Sequence, residues 1–259
     1  MGAPINIYNI PDLFLTNSVL YLGMDTGFSD YTARHAVSTF GVMTISTGTF
    51  HYFGGSGFAN QTTTNSYITV PSSADFTIAS NDEVTIACSF LGQITSTQSL
   101  NVFSRTSAAG PNVANQYFGI LKESAGEGGD YLAFFGTWNS GGGVGSMLIP
   151  LTTLSSTSWH RIVLTKNSAM NMNVYLDDQL QGTDTLPNSQ VPSGNLWPVL
   201  SSDIFILGGD ANVTGVSTTP FHGYIDEYSF SRSVRIPGGK AINYYNRTDA
   251  QPINFYSLP

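Results

Sequence analysis

The sequence contains little charge, and the charge it has is mainly acidic. Only 10% of its 259 residues are Asp, Glu, Lys or Arg, and nine Lys and Arg stand against 17 Asp and Glu, a formal net charge of −8. A protein that binds DNA or RNA needs a dense basic surface that displaces counterions from the phosphates. The scarcity of basic residues therefore excludes nucleic acid as an expected partner.

Cysteine and long apolar runs are also scarce. The single cysteine, Cys88, excludes an intrachain disulfide and any metal site made of several thiolates, and its place in the alternating segment 84–90 predicts a small buried hydrophobe. The longest candidate run, 13–24, is interrupted and too short to span a bilayer. The first residues lack the basic and apolar regions of a signal peptide, so we expect synthesis in the cytoplasm without export.

Short alternating segments rich in Val, Ile, Thr, Tyr and Phe recur along the chain, separated by clusters of Gly, Ser, Asn and Pro. This pattern is typical of strands. A helical spacing occurs only over 239–246, which predicts one short helical turn near the C-terminus. Many strands without a strand–helix–strand rhythm predict an all-β protein, an antiparallel two-sheet sandwich.

Five motifs in a fixed order resemble one known family. They are V-L-Y-L-G-M-D at 19–25, Y-I-T-V-P with D-F-T-I at 67–78, S-W-H-R-I-V-L-T at 158–165, N-V-Y-L-D-D at 173–178 and F-H-G-Y-I-D-E-Y-S-F-S at 221–231. Together they resemble the concanavalin A-like sandwiches of the laminin G type, a jelly-roll group that is also related to pentraxins. The resemblance implies a jelly-roll domain over 18–247. The first 17 residues, with Pro4 and Pro11, predict an extended arm over 1–17, and 248–259 form a C-terminal tail.

Catalytic motifs of the related enzymes are missing. Laminarinase-type glycoside hydrolases of this fold carry a Glu-x-Asp-x-x-Glu strand, whose carboxylates act on the same side of the sugar. In this sequence Asp226 and Glu227 are adjacent, so a regular strand would point them to opposite faces. We therefore expect a protein that is not an enzyme.

A structural Ca²⁺ is the cofactor that the family resemblance implies. Asp25 ends the first motif and Asp226 lies in the last one, and the resemblance implies that they approach each other beside Gly54 and Gly55. Carboxylate and backbone carbonyl oxygens are the ligands that Ca²⁺ prefers. The alternative is that both carboxylates only cap turns and accept hydrogen bonds from backbone N–H groups.

Exposed aromatic residues beside polar side chains are candidates for sugar binding, because aromatic faces stack on sugar rings and amides or carboxylates hold hydroxyls. Trp138 and Asn139, followed by Ser-Gly-Gly-Gly, form the first candidate pair at a loop rim. Tyr117, Tyr131 and Asp210 are their candidate neighbours. The alternative is that these aromatic residues fill the core of the sandwich.

Laminin G-like domains usually enter the secretory pathway, whereas this chain lacks an evident signal. Phage particles assemble in the cytoplasm and carry sandwich domains on heads and tails, so by analogy we expect a non-catalytic virion protein, a decoration or adhesion component. Its expected partners are other virion proteins, copies of itself and host-surface glycans. The alternatives are a free extracellular lectin and, third, a glycan-cleaving hydrolase.

Overall fold

A computed structural model describes most of the chain between Asn17 and Arg235. The described residues are 17–51, 55–59, 66–79, 81–94, 100–107, 116–122, 131–139, 142–151, 154–185, 195–197, 203–208 and 221–235. The predicted helical turn at 239–246, the tail at 248–259 and nearly all of the predicted arm at 1–17 lie outside these ranges.

Strands dominate the described residues, with a single 3₁₀ turn at Ala74–Phe76. The strands are β1 Ser18–Leu22, β2 Ser38–Phe40, β3 Met43–Ser46, β4 Ser56–Ala59, β5 Tyr67–Pro71, β6 Ile78–Ala79, β7 Val84–Gln93, β8 Leu100–Ser107, β9 Gln116–Lys122, β10 Tyr131–Asn139, β11 Gly142–Leu151, β12 His160–Lys166, β13 Asn171–Leu176, β14 Gln179–Thr185, β15 Asn195–Trp197, β16 Asp203–Gly208 and β17 His222–Ser231. Within this part of the chain no helix is long and apolar enough to cross a membrane.

Two large antiparallel sheets form the molecule. The eight-stranded sheet has the order β14-β13-β12-β7-β17-β4-β3, and β1 also pairs with β17. The seven-stranded sheet has the order β11-β10-β9-β8-β16-β5-β2, and β15 pairs with β6 apart from both. Because the chain passes repeatedly from one sheet to the other, the connectivity is that of a jelly roll. The prediction of an antiparallel all-β sandwich is confirmed.

The core lies between the two sheets, where alternate residues of each strand meet. Phe103 and Phe118 come from the seven-stranded sheet and pack in one cluster with Phe90 and Phe230 from the eight-stranded sheet. Cys88 is fully buried in this cluster, as its sequence context predicts. Burial raises the pKa of its thiol, so the sulfur stays protonated and inert.

Strand β17 lies near the middle of the eight-stranded sheet and organises its outer face. Ile225 and Phe230 point into the core, whereas Tyr224 alternates with Ile225 and points outward. The pairing with β7 is regular up to Asp226 and resumes at Ser229 with one extra residue on β17. This β-bulge, with Glu227 at a φ of 52°, re-aims the acidic residues of the strand.

Candidate functional site

Two neighbouring groups of polar and aromatic side chains lie on the outer face of the eight-stranded sheet. One is a carboxylate cluster formed by Asp25, Asp226 and Glu227. The other is an aromatic platform formed by His51, Trp159 and Tyr224. The two groups adjoin because the backbone N–H of His51 donates a hydrogen bond to Asp226 at 2.9 Å.

Asp226 is fully buried and bonded to the backbone. Its Oδ2 accepts the hydrogen bond from His51, and its Oδ1 accepts one of 2.9 Å from the N–H of Glu227. These contacts fix the segment after β3 on the sheet and support the bulge in β17. They match the backbone-capping alternative of the sequence analysis, and the role of Asp226 as a metal ligand stays a prediction.

Asp25 and Glu227 each keep one buried oxygen without a hydrogen bond. Asp25 Oδ2 accepts from the Tyr31 hydroxyl at 3.2 Å, and Glu227 Oε2 accepts from the Tyr21 hydroxyl at 2.5 Å. Asp25 Oδ1 and Glu227 Oε1 are buried and unbonded. Since an uncompensated buried charge is costly, burial raises the pKa of Glu227 to about 7 and that of Asp25 above its usual range.

The bulge places Glu227 on the same outer face as Tyr21, where Asp226 also lies. A regular strand would have pointed Asp226 and Glu227 to opposite faces, which was the expectation from their adjacency. The extra residue breaks the alternation, so both charges act on Tyr21 and raise the pKa of its phenol, after burial as the main cause. The expectation of opposite faces is therefore wrong at this bulge.

Gly55 lies directly against Asp25. A Cβ atom on Gly55 would be 2.4 Å from the carbonyl oxygen of Asp25 and 2.9 Å from that of Met24. Gly55 thus lies against the backbone of Asp25, and the implied approach of the Asp25 and Asp226 carboxylates stays a prediction; Gly54 is outside the described residues. In the described part of the chain, no three His, Cys, Asp or Glu side chains are grouped as a metal site would require.

The aromatic platform joins residues that are far apart in sequence. The His51 ring stacks on the Trp159 ring with centroids 5.2 Å apart and an interplanar angle of 22°. The Tyr224 ring lies 6.5 Å from Trp159 at 52°. All three residues are partly buried. Burial and the charge of Arg161 lower the pKa of His51, which keeps its ring neutral near pH 7.

Strand pairing explains why these rings meet. Strand β7 separates β12 from β17, and it pairs Phe90 with both His160 and Ile225. Trp159 precedes His160 and Tyr224 precedes Ile225, so the two aromatic residues come to the same level of the sheet. The backbone bond from His51 to Asp226 brings the third ring onto them.

Arg161 lies beside the platform and is half-buried. Its neighbour Asp177, in the turn between β13 and β14, accepts a 2.8 Å hydrogen bond from the Arg161 backbone N–H and a 2.7 Å bond with His160 Nδ1. That carboxylate is therefore occupied by other groups. Among the described residues, the Arg161 guanidinium has no ion-pair partner within 4 Å.

The sugar-binding residues predicted from the sequence lie in the other sheet. Trp138 and Asn139 end β10, opposite Gly143 and Gly142. Tyr117 in β9 is paired with Gly136, near the same end of β10. Tyr131 begins β10 and is paired with Lys122, which is five residues from Tyr117 along β9, or about 17 Å. Asp210 is outside the described residues. The backbone therefore brings Tyr117 toward Trp138 and keeps Tyr131 apart from both. The sugar-binding role of these residues stays a prediction.

The sequence analysis missed the platform residues. Trp159 and Arg161 were interpreted only as part of a strand motif, although their two-residue spacing on an alternating strand predicts a shared face. His51 and Tyr224 gave no such signal, because only the pairing of distant strands brings them to Trp159.

No family model matches this chain, and no curated protein matches it. Solved structures do match it. The binding domain of Paraclostridial Mosquitocidal Protein 1 is 14% identical over 85% of this chain and 50% of that chain, with a TM-score of 0.56. A botulinum neurotoxin type C structure is 13% identical over 85% of this chain and 49% of that chain, with a TM-score of 0.58. The binding domain of botulinum neurotoxin DC in complex with rat synaptotagmin II is 12% identical over 85% of this chain and 49% of that chain, with a TM-score of 0.54.

This chain thus spans about half the length of the solved chains that it matches. At such low identities the matches show a shared all-β fold and carry no residue-level information. The finer assignment, a laminin G-like sandwich of a phage particle, stays a prediction.

Proposed function

We propose that this chain is a non-catalytic carbohydrate-binding domain. The observation that carries the proposal is the stack of the partly buried Trp159 on His51 beside Arg161, whose guanidinium has no ion-pair partner among the described residues. An aromatic face binds the C–H face of a sugar, and nearby N–H donors hold its hydroxyls. The Arg161 guanidinium supplies N–H donors of this kind beside the stack.

The matched structures support a binding role. Two of them are binding domains, and cell entry of botulinum neurotoxin type C depends on interaction with two ganglioside molecules. A non-catalytic role also agrees with the carboxylates of the site. Glycoside hydrolysis needs two carboxylates that flank the scissile bond, whereas Asp226 is fully buried and bonded to backbone N–H groups.

A glycan array tests this function directly. We expect the purified chain to be retained by a subset of glycans, and Trp159→Ala to abolish the retention because the stacking surface is removed. Phe40→Ala is the matched control, since Phe40 is an exposed aromatic residue on β2 of the other sheet and is 44% exposed. Unchanged thermal unfolding of each variant shows that it is folded. A blank array with and without calcium, or equal binding by Trp159→Ala, rejects the proposal; release of reducing ends from a polysaccharide would favour the hydrolase.

We further propose that Asp25 and Asp226 belong to a Ca²⁺ site. The support is the buried, unbonded Asp25 Oδ1 and the backbone carbonyl of Asp25 beside Gly55. Both Asp226 oxygens already accept hydrogen bonds, whereas Glu227 Oε1 is free and buried, which makes Glu227 the more available second carboxylate. A bound Ca²⁺ would supply the positive charge that these buried oxygens lack.

We propose that this domain is part of a phage virion that is assembled in the host cytoplasm. In the particle the chain is a decoration or adhesion component and forms homo-oligomers. The low-charge composition of the chain supports a surface that faces the exterior. Mass spectrometry of purified particles is expected to find the chain in stoichiometric copy number. Its absence from particles, together with glycan binding by the isolated chain, would favour the alternative of a free extracellular lectin.

A further inference from the structure

We infer that the aromatic platform selects carboxylated sugars, such as uronic or nonulosonic acids, and that Arg161 binds the carboxylate. This inference rests on the proposed carbohydrate-binding function and adds the ligand class to it. It depends on the state of Arg161, which is partly buried and differs from the buried or partly buried cations Lys166 and Arg232.

Other basic side chains are used to hold the fold together. The Arg232 guanidinium binds the carboxylate of Asp82 at 2.7 Å, and it also donates to the carbonyl oxygens of Asp75 and Thr77. The Lys166 ammonium donates to the carbonyl oxygens of Asp82 and Asn167. Lys166 is fully buried and Arg232 is partly buried, so in both cases hydrogen bonds compensate the loss of water around the charge.

Within the described ranges the Arg161 guanidinium has no such bonds, although carboxylates are near. Asp177 is held by His160 and by a backbone N–H, and Asp226 is held by two backbone N–H groups. Glu227 influences Arg161 only at a distance, and it is bonded to Tyr21. The guanidinium therefore keeps its donors available, and a planar carboxylate is the group that this fork binds best.

The position of Arg161 fits a single sugar ring. Trp159 and Arg161 share one face of β12 with about 7 Å between their Cα atoms. A sugar ring stacked on the indole thus places a carboxylate on its edge within reach of the guanidinium. Asp177 and Asp178 are exposed in the adjacent turn and make the rim acidic, which disfavours polysulfated chains and favours a ligand with one negative charge.

Paired ligands and charge-matched variants test the inference. Biolayer interferometry measures the affinity of the chain for oligosaccharides that end in a uronic or sialic acid, and for the same compounds after the carboxylate is converted to an amide. Heparin is included as a sulfated probe. The wild-type chain is expected to bind the carboxylates about tenfold more tightly than the amides. Arg161→Gln is expected to remove this preference and retain the weaker binding of the amides. Arg34→Gln is the control, because it removes the same charge from an exposed arginine away from the platform.

The outcomes separate the two proposals. If the wild-type chain binds the amides as tightly as the carboxylates, or if Arg161→Gln binds like Arg34→Gln, the inference is overturned and the carbohydrate-binding function stands. Tightest binding to heparin, with equal losses in both arginine variants, would instead indicate nonspecific attraction to polyanions. If no glycan is retained and Trp159→Ala has no effect, both proposals fail.

Discussion

Gly223→Ala is expected to destabilise the sandwich by about 3 kcal/mol or more, a large share of the stability of an ordinary domain. Gly223 in β17 is paired with Gly92 in β7. A Cβ on Gly223 would be 2.2 Å from the carbonyl oxygen of Leu91 and 2.8 Å from the Cα of Gly92. Both contacts are with backbone atoms, so relief requires β7 and β17 to separate.

The fully buried Phe221 makes the contact tighter. Its Cζ would lie 2.7 Å from the new methyl group, and it covers Gly92 as well. Denaturant unfolding of Gly223→Ala measures the loss. Gly27→Ala and Gly48→Ala are the controls, since a Cβ at either position meets no atom within 4 Å. We expect both to unfold within about 0.5 kcal/mol of the wild type. A Gly223→Ala variant as stable as these controls would show that the central strands are not packed as described.

Glu227→Gln is expected to remove a pH dependence of stability worth up to about 3 kcal/mol. Burial raises the pKa of Glu227 from 4.5 to about 7 in the folded chain; the Tyr21 hydroxyl and the Arg161 charge oppose this rise, whereas the Asp25 charge adds to it. The folded state therefore binds a proton more tightly than the unfolded state. The resulting stability is fully present below pH 4.5 and is lost as the pH rises to about 7.

The measurement is urea unfolding of both proteins in chelator between pH 4.5 and 8. Glutamine keeps the shape of the side chain and the bond from Tyr21 but carries no charge, so the variant should become more stable than the wild type as the pH rises. His51 also makes stability depend on pH, but its lowered pKa makes stability rise with pH in the acid range, opposite to the effect of Glu227. Because both proteins contain His51, the difference between their profiles reports Glu227 alone. Parallel pH profiles would contradict the assignment.

Unfolding measured with added calcium near pH 8 distinguishes a Ca²⁺ site from carboxylates that are buried without a metal. If Asp25 and its neighbours bind Ca²⁺, the ion stabilises the wild-type chain where Glu227 is ionised, by mass action on the folded state. Asp25→Asn is expected to reduce this stabilisation. No shift at any calcium concentration would leave Asp25 and Asp226 as structural carboxylates.

The alternating segments determined much of the fold. In segment 84–90, larger apolar residues recur at every second position, and this periodicity predicts that Ile86 lies in the core, where it is found. The prediction of an antiparallel sandwich followed from such segments and is confirmed. The sequence did not show which strands pair, because the pairing of β7 with both β12 and β17 joins residues that are 70 or more positions apart.

The candidate site was less accessible to sequence reasoning. The approach of Asp25 to Asp226 that the family resemblance implies stays a prediction, and the unbonded oxygen of Glu227 lies at a bulge that no local sequence pattern predicts. An alternating pattern assumes one residue per step on both strands. One inserted residue reverses the faces that follow it, and Glu227 lies where this happens.

The amino-acid order by itself determined the class of structure, since which residues are apolar and how they alternate is a local property of the chain. It also determined the low content of positive charge, which makes each partly buried arginine informative. Only the tertiary structure decided that His51, Trp159 and Tyr224 share one surface and that Arg161 is unbonded beside them. These facts depend on strand order and register, which are set by packing between distant segments.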